Sequence, residues 1–216
     1  MRVVMPPWFS RVRLPEKARI LEIGCATGYT LSAFKNRGYD CRGIEISEEA
    51  AQYARKEFSL RVETADIGSA ALEEKSFDLI YLLDVFEHLA DPAGALRRIA
   101  RWLRPSGTAV FVIPTQTNTI FSRMGIFSFS LLRKRTRIHL PPYHLFEYRP
   151  DTFRNLLRAN GFSNIQLNPA IMRPSEIGLR SSGLQNFAKK AFHYPNYALT
   201  GMFRIWGDRL EAIARL

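Results

Sequence analysis

The stretch ILEIGCATGYT, Ile20 to Thr30, constrains the fold more than any other part of the chain. An apolar run with one acid, Glu22, ends in a turn bounded by Gly24 and Gly28. The run reads as a buried strand. Glycines at its end let backbone N–H groups approach a ligand closely, because no Cβ stands in the way. Seventeen residues after Gly28, a second apolar strand, RGIEIS, ends in Glu45. A carboxylate at the tip of a second strand is placed to bind ribose hydroxyls. Together these features predict a nucleoside-bearing cofactor at the top of a doubly wound sheet.

Which cofactor follows from the turn itself. A dinucleotide site uses G-x-G-x-x-G to bring a helix N-terminus up to a pyrophosphate. Here Ala26 stands at the middle glycine position and Tyr29 at the third. Glu22, two residues before Gly24, would repel a pyrophosphate but suits a ligand with a cationic ammonium. S-adenosylmethionine carries an ammonium and no phosphate. At EIGCATG the chain resembles the class I S-adenosylmethionine-dependent methyltransferases, whose first motif is [DE]-x-G-x-G-x-G; Ala26 is the one departure. A plain strand-to-helix turn of some other α/β protein is the alternative at this point.

The rest of the chain alternates strands and helices, which argues for a parallel sheet with crossovers. Strands are predicted at 19–24, 41–46, LRVETAD ending at Asp66, 77–83, TAVFVIP after an RPSG turn, SNIQLNPAIM and GDRLEAIARL. Helices are predicted at 29–37, ended by Gly38, and from the cap Ser47 through EEAAQYARKEF. Others run from Asp91-Pro92 to Leu103 and over RPDTFRNLLRANGF. Three of these blocks extend the resemblance to small-molecule methyltransferases related to ubiquinone-biosynthesis and sugar methyltransferases: SFDLIYLLDVFEHLADP, RWLRPSGTAVFVIPT and HLFEYRPDTFRNLLRANGF. The terminal GDRLEAIARL resembles their closing strand. The resemblance implies one α/β, Rossmann-like domain over 1–216. Its seven-stranded sheet would be mostly parallel, the late strand antiparallel, with helices on both faces.

Two stretches fall outside the resemblance, 115–149 and 172–206. They hold eleven of the bases against two acids, a net +9 of the chain's +11. Both interleave bases with aromatics, and both are expected to sit over the C-terminal edge of the sheet, or beside it, as a lid. Three readings of them stay open: a surface for anionic lipid, a nucleic-acid surface with stacking aromatics, or the local core of the lid with solvated bases. No run of apolar residues is long enough to span a membrane, and the proline-interrupted start is not expected to act as a signal peptide. Cys25 and Cys41 lie at opposite ends of neighbouring strands, too far apart for a disulfide. They fit a reducing cytoplasm, and no metal is expected.

Site residues follow from these assignments. Gly24, Ala26 and Gly28 form the cofactor loop, and Glu45 holds the ribose hydroxyls unless it is a solvated strand-end acid. Facing a cleft from a strand end, Glu45 should matter to binding and little to stability. Glu22 would meet the methionine ammonium, directly or through water. The resemblance implies that Asp66 binds the adenine amino group, with a helix cap as the alternative. Ile46 and Ile67 would sandwich the ring unless they are core residues, and Leu83, Asp84 and Val85 would line the methionine end. LLDV is not the [DN]-P-P-[FYW] motif of amino-directed enzymes. His88, just past the fourth strand, and His144, before the late helix, are the candidate bases for an oxygen acceptor. Each could instead make a structural hydrogen bond. The expected reaction is methyl transfer from S-adenosylmethionine to a small-molecule, glycan or lipid-linked acceptor. An RNA methyltransferase and a non-catalytic cofactor-binding protein are the alternatives. The expected setting is cytoplasmic, peripheral at the inner face of the membrane.

Overall fold

The computed structural model describes residues 5–115, 144–171, 183–203 and 207–216, together with 124, 127, 128 and 131. Of the two stretches expected to form a lid, 115–149 and 172–206, the described residues are 115, 124, 127, 128, 131, 144–149 and 183–203, and the remainder lies outside them. The strands are β1 Arg19–Ile23, β2 Asp40–Glu45, β3 Arg61–Thr64, β4 Phe77–Leu83, β5 Leu103–Pro114, β6 Ser163–Ala170 and β7 Arg209–Arg215. The helices are α1 Tyr29–Lys35, α2 Glu48–Phe58, α3 Pro92–Trp102, α4 Pro150–Ala159 and α5 Gly183–Phe203.

One seven-stranded sheet forms in the order β3-β2-β1-β4-β5-β7-β6. All neighbours are parallel except the two pairs made by β7, which runs antiparallel to both β5 and β6. The strand order reverses between β1 and β4, and a doubly wound sheet opens a crevice at the C-terminal ends of such a pair.

The strands are apolar on both faces because helices cover both. Leu21, Ile23, Ile80, Leu82, Phe111 and Ile113 point into a core closed by α3 and α4. Their alternates Ile20, Leu79, Tyr81, Val110 and Val112 point into a second core, closed by α1, α2 and Trp8 of the 3-10 turn Pro7–Arg11. This two-residue alternation puts Glu22 in the second core, between Leu21 and Ile23.

The predicted helix starts are satisfied as expected. The Ser47 side chain accepts from the Ala50 amide, and that of Asp91 accepts from the Gly94 amide, with Pro92 following. Three boundaries differ. β3 stops at Thr64, because Asp66 turns the chain by accepting from the Gly68 amide at 2.6 Å. RPSG is not a free turn but part of β5: Leu103 pairs with Phe77 and Thr108 with Leu79, so the four residues bulge out between them. Helix α5 lies in the second basic stretch, where no helix was predicted.

Candidate active site

The loop after β1 sits at the reversal point. The Gly24 and Cys25 amides both donate to the Ile44 carbonyl, at 2.8 and 3.1 Å, tying the loop to β2. Gly24 has φ +72°, and a Cβ there would stand 2.4 Å from Val85 Cγ2. Glycine is therefore required both by the backbone and by the close approach of the turn after β4. Ala26, the departure from the glycine motif, still takes the left-handed conformation, at φ 46°. What holds it there is Glu45. One Glu45 oxygen accepts from the Ala26 amide at 2.7 Å and the other from the Ser47 amide at 2.9 Å.

Glu45 is only 9% exposed. It ties the glycine loop to the start of α2, which corrects the expectation that it contributes little to the fold. A carboxylate offers about four acceptor positions, so two remain for ribose hydroxyls.

Glu22 is buried. Gly28 precedes α1 in the left-handed conformation and has no side chain to cap its amides. The Tyr81 hydroxyl donates to Glu22 at 2.9 Å, and the Leu31 amide, in the first turn, lies near enough to lower its pKa. Burial pushes its pKa up to about 8, with Tyr81 and Leu31 opposing the shift and Glu45 adding to it. A proton retained in the fold but lost from the unfolded chain makes stability fall as pH rises. Stability from this group is full below its unfolded value of 4.5 and is lost as pH rises through about 8. Wild-type melting temperature should fall over this interval, and Glu22→Gln should flatten the fall. Parallel melting curves for the two proteins would remove the assignment.

The other predicted cofactor residues divide between surface and core. Ile46 is 73% exposed beside Glu45, whereas Ile67 packs in the core with Ile44. Asp66 is exposed and caps its turn. Leu83 and Val85 are half-buried at the end of β4. Asp84 between them takes φ 53° and is ion-paired with Arg209, the first residue of β7. Arg209 escaped the sequence reading; a base opening the last strand was its only signal. Cys25 and Cys41 are free, buried thiols, and burial pushes both up to about 12.

Just past β4, the 3-10 turn Phe86–His88 presents a cluster. His88 and His144 meet edge to face, with ring centroids 5.1 Å apart. Between them lies Glu87, 1% exposed, with neither carboxylate oxygen hydrogen-bonded. Its Oε1 is 3.6 Å from His88 Nε2 and 3.9 Å from His144 Nε2. The Leu145 and Phe146 amides donate to the Glu87 carbonyl at 3.0 and 3.1 Å, which fastens the His144 segment to the turn. Burial raises the Glu87 pKa to about 7, and the nearby Asp84 adds to the shift. Burial lowers that of His144, with His88 acting in the same direction. The sequence named both histidines and missed the acid between them; an acid inside the apolar run VFEHL was the available signal. The three side chains also offer ligand atoms within 4.8 Å of one another, so they could hold one divalent cation, although no metal was expected.

A family model for a methyltransferase domain matches residues 1–167. The ubiquinone biosynthesis O-methyltransferase of Alkalilimnicola ehrlichii is 34% identical over 102 residues, 44% of this chain and 41% of that protein. The chain thus matches less than half the length of this relative. The protein of the same name from Aromatoleum aromaticum is 26% identical over 170 residues, 74% of this chain and 70% of its own. A solved S-adenosylmethionine-dependent methyltransferase from Archaeoglobus fulgidus shares the fold, with a TM-score of 0.62 and 19% identity, over 92% of this chain and 86% of that one.

The fold is that of solved S-adenosylmethionine-dependent methyltransferases. The chain belongs to the methyltransferase domain family, and its cofactor is S-adenosylmethionine. The residues present fit that cofactor: bare backbone at Gly24, a carboxylate at Glu45 and an exposed apolar side chain at Ile46.

Proposed function

We propose that this protein methylates a hydroxyl oxygen of a small-molecule, glycan or lipid-linked acceptor. The observation that carries this reading is the buried Glu87 carboxyl, without hydrogen bonds, facing His88 and His144 immediately past β4. Relatives named ubiquinone biosynthesis O-methyltransferases support oxygen as the acceptor atom.

Bound S-adenosylmethionine supplies a methyl group on a sulfonium that is already a good leaving group. Gly24, Ala26 and Gly28 would hold the cofactor by backbone approach, and Glu45 would hold its ribose. Ile46 would cover the adenine and Ile67 support it from the core, while Asp66 would accept from the amino group. Glu22, beneath the loop, would answer the ammonium through water. Leu83, Asp84 and Val85 would bound the methionine end and align the acceptor oxygen with the methyl group, which the sulfonium would give up with the bonding electrons left on sulfur. His144 takes the hydroxyl proton, with Glu87 stabilising the imidazolium and His88 orienting the pair. Alignment of the two reactants accounts for most of the rate. In a second reading, favoured by the ligand-atom spacing, the same three side chains hold a divalent cation that orients the hydroxyl.

The test is transfer of labelled methyl from S-adenosylmethionine into fractionated small-molecule, lipid and RNA extracts. His144→Ala should lower turnover on the labelled acceptor by about a hundredfold or more, with cofactor affinity nearly unchanged. Chelation followed by magnesium or manganese separates the two readings of the cluster. Label entering only RNA would overturn the proposal. Tight cofactor binding with no label in any fraction would favour a non-catalytic role. We further place the protein in the cytoplasm, at the inner face of the membrane, because the net +9 of the two inserts suits an anionic surface.

A further inference from the structure

Among its described side chains, helix α5 is amphipathic in the reversed sense. Asn196 and Thr200 are buried, and Asn186 and His193 are half-buried. Their spacings of seven, three and four residues put these four polar side chains on one stripe. All four are engaged in interactions, so none of these inward polar side chains lacks a partner. The other face carries Phe187, Ala191, Tyr194, Ala198 and Met202, spaced four, three, four and four residues apart and all exposed. Phe187 is 72% exposed, Tyr194 51% and Met202 73%. A helix of a globular protein turns its apolar stripe to the core. This one turns it to solvent, and contiguous exposed apolar surface marks a contact site.

A second, separate segment does the same. In the first basic insert Met124, Phe127 and Leu131 are helical, spaced three and four residues apart, and all exposed. Both inserts are rooted at one corner of the sheet. The first leaves β5 at Thr115, whose amide donates to the Asp208 carbonyl at 2.7 Å, where the second returns to β7. The Thr115 hydroxyl donates to the Gly207 carbonyl at 3.1 Å.

Charge selects the partner. The two inserts carry eleven bases against two acids, and Lys190 is exposed beside the α5 stripe. Pairing this face with a second copy would bring like charges together. Phe187 and Tyr194 could each stack on a base, but Ala191, Ala198 and Met202 offer no ring, whereas all five side chains can enter lipid. Apolar stripes within lysine- and arginine-rich segments match an anionic lipid surface, where such a helix lies in the plane of the headgroups. No helix among the described residues is long and apolar enough to cross a membrane.

We infer that α5, with the exposed apolar residues of the first insert, is an interfacial anchor that seats the enzyme on an anionic bilayer. The inference deepens the lipid-linked arm of the proposed function and rests on it only for the purpose of the contact. The test is flotation of the full chain with phosphatidylcholine vesicles, with and without phosphatidylglycerol. The wild-type protein should float with the anionic vesicles and be released by salt. Replacing Phe187, Tyr194 and Met202 together by Ser should weaken binding by about tenfold or more. Calorimetry with S-adenosylhomocysteine and a melting curve check that the triple variant is folded. Should it not fold, Ala191→Cys carrying an environment-sensitive dye reads the same face; both native cysteines are buried, and its emission should shift to the blue on anionic vesicles. Absence of wild-type binding, undiminished binding by the folded triple variant, or an unshifted dye would each overturn the anchor. So would a dimer or an RNA complex abolished by the substitutions while vesicle binding persists. Flotation needs no methyl transfer, so loss of activity with flotation intact would sink only the proposed function.

Discussion

Glu45→Ala should lose cofactor affinity and fold stability together. The wild-type carboxylate accepts from the Ala26 and Ser47 amides. Net, hydrogen bonds to a charged group contribute about 1.5–3 kcal/mol each, and amides left without partners add a desolvation penalty. Water can enter at this site's edge and recover part of that, so the expected loss is about 2–4 kcal/mol. In a domain of this size that lowers the melting temperature by roughly 5–15 °C. The ribose role proposed for the same carboxylate adds two charge-assisted bonds, so S-adenosylhomocysteine should bind about tenfold to several hundredfold more weakly. Glu45→Gln, which keeps one acceptor oxygen, should fall between. Calorimetry and melting on the three proteins check both effects. A folded Glu45→Ala protein with wild-type affinity would remove the ribose assignment, and wild-type melting would remove the tie between loop and helix.

The part of Glu45 that was legible in the sequence was its place at the end of an apolar strand. Its burial was not, because that depends on how the Ala26 turn folds back over β2. The same division runs through the fold. Strands such as RILEI and FDLIYLL announce themselves because both faces of a covered parallel sheet must be apolar. The antiparallel placement of β7 came from the resemblance of GDRLEAIARL to a closing strand. Boundaries set by single contacts were not legible: Asp66 ends β3 early through the Gly68 amide, and Leu103 joins β5 early by pairing with Phe77. Helix α5 was hidden for a stronger reason. A pattern reading assigns the apolar stripe to the core, and here Phe187, Tyr194 and Met202 face outward while Asn196 and Thr200 face in.

The cluster of His88, Glu87 and His144 shows what pairing across the chain does to legibility. His88 and His144 were each visible at the rim as single residues. That they meet over Glu87 follows only from the Leu145 and Phe146 amides reaching the Glu87 carbonyl. Arg209 was invisible for a similar reason: it reaches Asp84 from β7, with β5 lying between the two strands.

Glu87→Leu is expected to move activity and stability in opposite directions. The acid is 1% exposed and neither oxygen is hydrogen-bonded, so the fold carries an uncompensated polar group. Replacing an unsatisfied buried group by an apolar one of similar size is neutral or stabilising, here by about 1–2 kcal/mol. The amides that fasten the His144 segment bind the Glu87 backbone carbonyl, which the substitution keeps. Turnover should nevertheless fall by about a hundredfold or more, because His144 loses the carboxylate that stabilises its protonated form. Cofactor affinity should stay near wild type, since Gly24 follows β1 and Glu45 ends β2, whereas Glu87 lies in the turn after β4. Loss of a metal site would lower turnover too, but added magnesium or manganese would then stabilise the wild-type protein and leave Glu87→Leu unmoved. A residue retained only for packing predicts the opposite pattern, a less stable protein with unaltered turnover. A Glu87→Leu enzyme that melts lower and turns over normally would therefore take the cluster out of the reaction. One that melts higher and has lost turnover would identify a group kept for chemistry against the preference of the fold.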